Sequence, residues 1–208
     1  MLALLLCATP LAATSPETAS SQKIEVSGGP LANFCVTNFL HSEMDGGRSL
    51  MKPGFGFGGF LDMGISPSFS IQFELVLNHK ASDFFRLGKT GKFRYWGLEI
   101  PIFAMFHLNL PDGGRINAGI GPFTDFGLHA SYTVDGKRHD VYERNASTGL
   151  SSMKDSYSGI SAKLGYEFSC GLMLNCTYRV SLSNILDENS NEVRMFPQEM
   201  MLEAAYRF

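Results

Sequence analysis

The sequence predicts an all-β protein, an eight-stranded antiparallel up-and-down β-barrel that spans a membrane. Three observations lead to this fold class. Eight segments of roughly ten residues alternate between apolar and polar side chains, as strands with one apolar face do. The connections between them are long and short in turn. The charged side chains collect on one of the two strand faces, and the other face is almost free of charge.

Composition limits the class of protein. The 208 residues carry a net charge of -3, which gives no indication of nucleic-acid binding, and the length suits one barrel. Only 18% of the residues are charged, a low fraction for a soluble domain, whereas Phe (17) and Gly (22) are abundant. No apolar run reaches the ~18 residues that a transmembrane helix needs, so we expect any membrane crossing to use strands.

The first residues resemble a secretory leader. An apolar run from Leu2 to Ala8 is followed by small residues up to Ala13, as in a signal peptide, although no basic residue precedes the run. We therefore assign residues 1–20 to a signal peptide and lead-in, and residues 21–208 to an outer-membrane barrel domain.

The strands follow from the alternation, taken in order. Strand one lies within residues 26–40, where two glycines and a proline blur its register. The remaining predicted strands cover residues 54–65, 69–78, 95–110, 115–133, 158–168, 172–182 and 200–208. The third is the clearest, with an apolar residue at every second position from Phe69 to Leu77. The second carries glycines on its polar face, which make room where side chains crowd inside a small barrel.

The connections differ in length at the two ends of the strands. Short turns are predicted at residues 66–68, 111–114 and 170–171, and long loops at residues 41–52, 79–94, 134–156 and 187–193. Transmembrane barrels have this asymmetry, with tight periplasmic turns and longer external loops. We therefore expect a bacterial outer-membrane location with periplasmic short turns and extracellular long loops.

The polar face decides between a membrane barrel and a soluble one. A lipocalin also alternates, but its apolar face points inward around a ligand. Here the polar face carries nearly all the charges, in ten residues that we predict to form a network in the barrel interior: Asp62, Glu74, Glu99, His107, Asp125, Lys163, Glu167, Arg179, Glu203 and Arg207. An uncharged apolar face suits lipid better than water, so we predict that it points outward.

The predicted interior network holds six acids, three bases and one histidine. A closed interior cannot leave carboxylates bare, so we expect them to pair with Lys163, Arg179 and Arg207, and the remaining acids must reach water, share protons or bind a cation. A polar plug that fixes the barrel register is the main interpretation. A narrow porin-like channel for protons or small cations is the alternative, although eight strands leave an interior only about wide enough for side chains.

The final strand ends with Tyr206 and Phe208 on its apolar face. An aromatic terminal strand resembles the closing strand of bacterial outer-membrane barrels, in which it serves as an assembly signal. We therefore predict that Tyr206 and Phe208 are read by the barrel assembly machinery.

Several motifs together resemble the PorT-like outer-membrane β-barrel proteins of Bacteroidota. They are Leu98-Glu99-Ile100-Pro101, the Gly-Pro strand at residues 118–123, the Gly-x-Glu-Phe strand at residues 164–168, the segment at residues 181–185, and the end at residues 205–208, where Ala205 replaces the family glycine. That family has no single activity, and its founding member is tied to protein secretion and surface export. The resemblance implies an outer-membrane barrel. Taken with the rest of the sequence, it leads us to predict a non-enzymatic scaffold or accessory surface component, with outer-membrane lipid, lipopolysaccharide and another outer-membrane protein as candidate partners.

Motifs for catalysis or metal binding are sparse. His129-Ala130-Ser131 resembles the His-x-Ser pair of the outer-membrane lipid A deacylases, in which the histidine activates the serine. A lipid A-modifying hydrolase is therefore a further alternative, although the alternation points both side chains inward. The histidines and cysteines lack metal-ligand spacing, and no cofactor motif occurs. Three cysteines of the barrel domain are predicted to be free thiols: Cys35, Cys170 and Cys176.

Overall fold

The computed structural model describes residues 25–42, 48–86, 89–134, 136–143, 153–185 and 194–208, which contain nine strands. These are β1 (Glu25–Ser42), β2 (Arg48–Ser66), β3 (Phe69–Arg86), β4 (Lys89–Asn109), β5 (Arg115–Val134), β6 (Lys137–Asp140), β7 (Ser156–Glu167), β8 (Leu172–Ser181) and β9 (Arg194–Tyr206). Within these residues, no helix is long and apolar enough to cross a membrane. The predicted leader, residues 1–20, lies outside the described residues.

Eight of the strands close into a barrel wall. Each wall strand pairs antiparallel with its neighbours in the wall, and the first and last strands, β1 and β9, pair from Leu31 opposite Ala205 to Ser42 opposite Arg194. β6 pairs with the end of β5 beyond the point where the β5–β7 ladder stops. The predicted eight-stranded antiparallel barrel is therefore confirmed, with one additional short strand on its rim.

The two faces of the wall are the reverse of those in a soluble barrel. Along β3, Glu74 and Val76 are buried, whereas Phe73 and Leu75 are 38% and 52% exposed. Every wall strand presents large apolar side chains to the outside, and the buried set is rich in charged, amide and hydroxyl side chains. The apolar face is the outer one, which excludes the lipocalin-like arrangement.

The wall is taller on one side than on the other. β4 and β5 contain 21 and 20 residues, whereas β7 and β8 contain 12 and 10. A tilted strand needs ~9–11 residues to cross a bilayer, so β7 and β8 are about long enough to do so and β4 and β5 continue past it. The tight turns at residues 67–68, 110–114 and 168–171 define the short-turn end, and the excess length lies at the opposite, long-loop end.

Two of the tight turns depend on glycine. Gly113 and Gly171 have φ angles of 81° and 88°, a left-handed conformation that is strained for residues with a Cβ. Beside the second turn, the Arg207 N–H donates to the Gly171 carbonyl at 2.9 Å, and the Phe208 N–H donates to the Gly28 carbonyl at 3.0 Å. The last residues of the chain are thus held to both neighbouring strands at the short-turn end.

The predicted extents of the long loops are wrong. Most of residues 79–94 is strand, because β3 continues to Arg86 and β4 begins at Lys89, with Lys80 opposite Tyr95. Likewise, β1 and β2 take up most of residues 41–52, and β6 lies within residues 134–156. The closing strand, β9, begins at Arg194, directly after the predicted loop at residues 187–193, which lies outside the described residues. Beyond the apolar band, the outer face no longer has to be apolar, so the alternation fades from the sequence while the hydrogen-bonded ladder continues.

A β-bulge reverses the predicted orientation of His129. Trp96 lies opposite His129 and Gly97 lies opposite Gly127, so Leu128 is an extra residue in β5. The extra residue shifts the alternation by one, which moves each following side chain to the other face. His129 is exposed on the outer face, so the inward prediction for His129 is wrong; Ser131 lies opposite Arg94 in the ladder but is buried.

Candidate functional site

The lumen of the barrel is filled with charged side chains. Nine of the ten predicted network residues are buried, and the tenth, Arg207, is half-buried near the short-turn end. Their contacts form three clusters along the barrel, which we name the lower, middle and upper clusters from the short-turn end to the long-loop end.

The lower cluster surrounds Arg207 of the final strand segment. Its Nη1 lies 2.7 Å from Asp62 Oδ2 of β2, and its Nε lies 3.1 Å from Glu167 Oε1 of β7. Glu167 also accepts from Arg115 Nη2 at 2.5 Å and from Asn117 Nδ2 at 3.3 Å. Two cations therefore balance two carboxylates, and the pairs join strands on both sides of the final segment.

A hydrogen-bonded chain extends the lower cluster. Ser70 Oγ lies 2.7 Å from His107 Nε2, and His107 Nδ1 lies 2.7 Å from Asn117 Oδ1. With the amide oxygen of Asn117 accepting, Nδ1 of His107 carries a hydrogen, and Nε2 is the nitrogen that contacts the serine hydroxyl. The order of contacts is that of a hydrolase triad. All three side chains are at most 3% exposed, however, and a substrate has no route to the hydroxyl.

The middle cluster has Lys163 of β7 at its centre. Its ammonium contacts Glu74 of β3 and lies 2.9 Å from Glu203 Oε1 of β9. Gln72 donates to Glu74 at 2.6 Å, and Asn175 donates to Glu203 at 2.8 Å. Three wall strands that are not neighbours are thus tied through one buried cation.

The upper cluster has Lys80 of β3 at its centre. Its Nζ lies 2.7 Å from Asp125 Oδ2, 2.5 Å from Glu199 Oε1 and 3.5 Å from Glu99 Oε2. The Tyr157 hydroxyl lies 2.7 Å from the same ammonium. Below it, Glu99 contacts the buried guanidinium of Arg179. Three carboxylates from three strands therefore share one ammonium.

Sequence reasoning missed two members of the upper cluster, Lys80 and Glu199. Lys80 lies in the predicted loop 79–94 and Glu199 lies just before the predicted strand 200–208, yet both continue the alternation of a predicted strand. Lys80 extends the inward series that includes Glu74, and Glu199 extends the series that includes Glu203. Extrapolating the two-residue period beyond the apolar band would have identified both residues.

The described part of the interior carries an excess of negative charge. The middle and upper clusters together hold five carboxylates and three cations: Glu74, Glu99, Asp125, Glu199 and Glu203 against Lys80, Lys163 and Arg179. Several buried acceptors there have no hydrogen-bond partner in the protein, among them Glu74 Oε2, Glu199 Oε2 and Thr37 Oγ1. Protons or water fit these positions, since they are buried and lined by polar groups. Among the described residues, no group of three or more His, Cys, Asp or Glu side chains is placed to hold a metal ion.

An aromatic cap covers the upper cluster at the long-loop end. It consists of Phe93, Tyr95, Phe123, Ala130, Val141, Tyr157 and Ile185. Tyr142 packs against the cap, and burial, with nearby carboxylates such as Asp155, raises the pKa of its phenol. Next to the cap lies a cavity of about 20 Å³, bounded by Thr37 and Glu199, which suits roughly one water molecule. Among the described residues, the cap therefore fills most of the lumen above the upper cluster.

The His129 pair lacks the contact that catalysis requires. Arg138 Nη2 donates to His129 Nε2 at 2.7 Å, so a guanidinium occupies the ring nitrogen that the resemblance would assign to a base. Within the described residues, no hydrogen bond joins this ring to Ser131. An activated serine needs its base within hydrogen-bond reach, so the geometry gives no support to the hydrolase alternative.

The three cysteines of the barrel are free thiols in different surroundings. Cys35 is buried in the lumen, Cys176 is half-buried on the outer face, and Cys170 is exposed in a tight turn. Cys170 is the natural labelling position at the short-turn end.

A closed eight-stranded wall with an apolar exterior and a charged interior defines a transmembrane β-barrel protein. The chain belongs to the outer membrane protein beta-barrel domain family, whose profile matches residues 18–187. It is thus a protein of the bacterial outer membrane.

Solved structures with this fold are distant in sequence. The outer membrane protein OprG from Pseudomonas aeruginosa is 13% identical with a TM-score of 0.54, over 88% of this chain and 95% of that one. Ail, the attachment invasion locus protein of Yersinia pestis, is 12% identical (TM-score 0.45, 88% and 99%), and Neisserial surface protein A is 11% identical (TM-score 0.47, 88% and 97%). These likenesses concern the fold alone. Among curated proteins, none matches the sequence significantly.

Proposed function

We propose that this protein is a closed, non-enzymatic scaffold of the outer membrane, an accessory surface component whose long-loop end faces the cell exterior. The filled lumen is the observation that carries the proposal. Lys163 and Lys80 lie across the lumen among carboxylates from several strands, and the aromatic cap covers the upper opening. A barrel that transports nothing acts through the surface that it presents.

The tall side of the wall supports a surface role. β4 and β5 extend past the apolar band and place polar strand surface beyond the membrane, where a partner can reach it. The PorT-like resemblance adds a finer proposal, that this surface serves protein secretion or surface export with another outer-membrane protein. Insertion through the barrel assembly machinery, directed by Tyr206 and Phe208, belongs to the same proposal.

Conductance in planar bilayers tests the closed lumen. The wild-type barrel should give no discrete current steps, because ion-paired side chains fill its cross-section. The matched control is the double variant Lys163→Ala, Glu74→Ala, which shortens two side chains of the middle cluster and should admit ions if it folds. Cation-selective steps from the wild-type protein would overturn the scaffold proposal.

Thiol labelling tests the orientation. In a Cys176→Ser background, a membrane-impermeant maleimide should label Lys154→Cys at the long-loop end of intact cells and leave Cys170 unlabelled until the outer membrane is opened. The buried Cys35 serves as an internal negative control. Labelling of Cys170 in intact cells would reverse the proposed orientation.

A narrow proton or cation channel is the second candidate, and the charge excess of the middle and upper clusters favours it. Unpaired acceptors such as Glu199 Oε2 and Thr37 Oγ1 could carry water along the lumen. If the wild-type barrel conducts, the Glu199→Gln variant should reduce its cation selectivity. Unchanged selectivity would show that the current does not pass through the upper cluster.

A further inference from the structure

The outer face of β4 changes from apolar to basic along its length. From Leu108 to Leu98, every second residue is apolar and points outward; the same outward series continues with Trp96, Arg94 and Lys92. At ~3.3 Å per residue and a tilt of ~40°, the apolar part rises roughly 25 Å, the height of the lipid-facing band of a membrane barrel. Trp96 therefore lies at the edge of that band, and the two cations lie just beyond it.

Aromatic rings mark the edge of the band on the adjacent strands as well. The ring of His79 lies 4.8 Å from that of Trp96 and 5.2 Å from that of Phe55, measured between centroids. Rings with an apolar body and a polar edge settle at the level of lipid headgroups. This three-ring group fixes the height of the headgroup region on the outer face of β2, β3 and β4.

Beyond the rings lies a basic patch, which we define as Lys92, Arg94 and Arg138. Lys92 lies opposite Thr133, which in turn lies opposite Arg138, so the backbones that carry the two cations are two strand spacings, about 10 Å, apart. His129 accepts from Arg138 and holds its guanidinium on this face.

The acids near the basic patch are too few to neutralise it, because Lys52, Lys92, Arg94 and Arg138 share their face with only two described carboxylates, Asp83 and Asp140. Among the described residues, no carboxylate lies within ion-pair distance of its three cations. Two acids share this face: Asp83 lies opposite Lys92 in the ladder but pairs with Lys52 at 3.0 Å, and Asp140, two residues from Arg138, accepts from the Tyr142 N–H. An exposed group of three cations facing lipid headgroups therefore offers its charge to an external anion.

We propose that the basic patch binds the phosphate groups of lipopolysaccharide, with Trp96 and Phe55 against the lipid below them. The patch is continuous with the lipid-facing band, lies at the height of headgroups, and spreads from β4 across β5 to β6, so that it offers cations to more than one phosphate. Guanidinium groups form paired hydrogen bonds to phosphate oxygens, which favours this class of ligand. Lipopolysaccharide rather than phospholipid follows from the proposed orientation, on which the inference rests.

Binding of defined lipids to the full barrel in detergent micelles tests the inference. The probes are bisphosphorylated lipid A, lipid A without phosphates, and phosphatidylglycerol, measured by native mass spectrometry. The double variant Arg94→Gln, Arg138→Gln should weaken binding of bisphosphorylated lipid A at least about tenfold. The matched control Lys137→Gln, Lys154→Gln removes the same charge at the same end, outside the patch, and should bind as the wild type does.

Three outcomes would overturn the inference: equal loss in both double variants, binding of lipid A that does not depend on phosphate, or equal binding of phosphatidylglycerol. Heat-modifiable gel migration establishes that each variant is folded. Because the measurement is made in micelles, its result does not depend on orientation in the cell. Failure of the maleimide labelling would contradict the proposed orientation, whereas failure of lipid binding would contradict the inference. The two results are obtained independently.

Discussion

Lys80 Nζ lies 2.5 Å from Glu199 Oε1, and this contact joins β3 to β9 inside the barrel. The same ammonium serves Asp125 and Glu99, so three carboxylates from three strands depend on one side chain. All four residues are buried, and water cannot replace a missing partner without entering the lumen.

Replacement of Lys80 by methionine should destabilise the barrel strongly. The Lys80→Met change keeps the length of the side chain and leaves the surrounding carboxylates without their cation, at a cost of about 3–5 kcal/mol. The measurement is the free energy of unfolding in urea, with the barrel in lipid vesicles. Lys52→Met is the control, because Lys52 is paired with Asp83 at the surface and should be nearly neutral. Equal stability of the two variants would contradict the central role of Lys80.

Deletion of Leu128 should disrupt the upper end of β5. Without the extra residue, the side chains from His129 onward change faces, and Ala130 leaves the aromatic cap. We expect faster proteolysis at the long-loop end, with the lower barrel still folded by heat-modifiable migration. Leu128→Ala is the control, since it keeps the bulge and alters only an exposed side chain. Unchanged protease resistance after the deletion would show that the bulge does not set the register.

The loss of stability caused by an arginine on the outer face should depend on the depth of that position in the membrane. Ile120 lies near the middle of the apolar band and Leu108 lies at its short-turn edge, and both are more than half exposed. Ile120→Arg should cost about 2–4 kcal/mol and Leu108→Arg about 0–1 kcal/mol, because the edge position lets the side chain reach water. Urea unfolding in vesicles measures both. If Leu108→Arg were more destabilising than Ile120→Arg, the centre of the membrane would have to lie closer to the short-turn end of the barrel.

Deletion of Phe208 should reduce assembly more than stability. The side chain is 82% exposed and contacts Tyr206 at a centroid distance of 5.3 Å, so the folded barrel gains little from it. We expect a lower amount of protein in the outer membrane, with urea unfolding in vesicles almost unchanged. Phe168→Ala, which removes another exposed aromatic ring at the same end, is the control and should assemble normally. Normal membrane levels after the deletion would contradict the assembly role.

Much of the wall was predictable because a strand between lipid and a polar lumen has to alternate. Lys80 escaped prediction because the outward residues around it are no longer consistently apolar, so the pattern that marks a strand is missing. Glu199 escaped it because the outward series changes from the apolar Met200 to the polar Gln198 at this point. The bulge at Leu128 has no periodic signal, since one extra residue reverses the alternation without changing the composition. The pairing of Lys163 with Glu74 depends on which strands face each other across the lumen, and only closure of the barrel determines that.

The contact between Lys163 on β7 and Glu74 on β3 has a mechanical consequence. Backbone ladders resist the sliding of adjacent strands, but they leave a thin cylinder free to flatten. Side chains that meet across the diameter oppose that flattening, because an oval cross-section would pull some charges apart and crowd others. We expect the middle cluster to keep the cross-section of the barrel circular under the lateral pressure of the bilayer. We therefore expect the barrel to be rigid and not to open laterally between two of its strands.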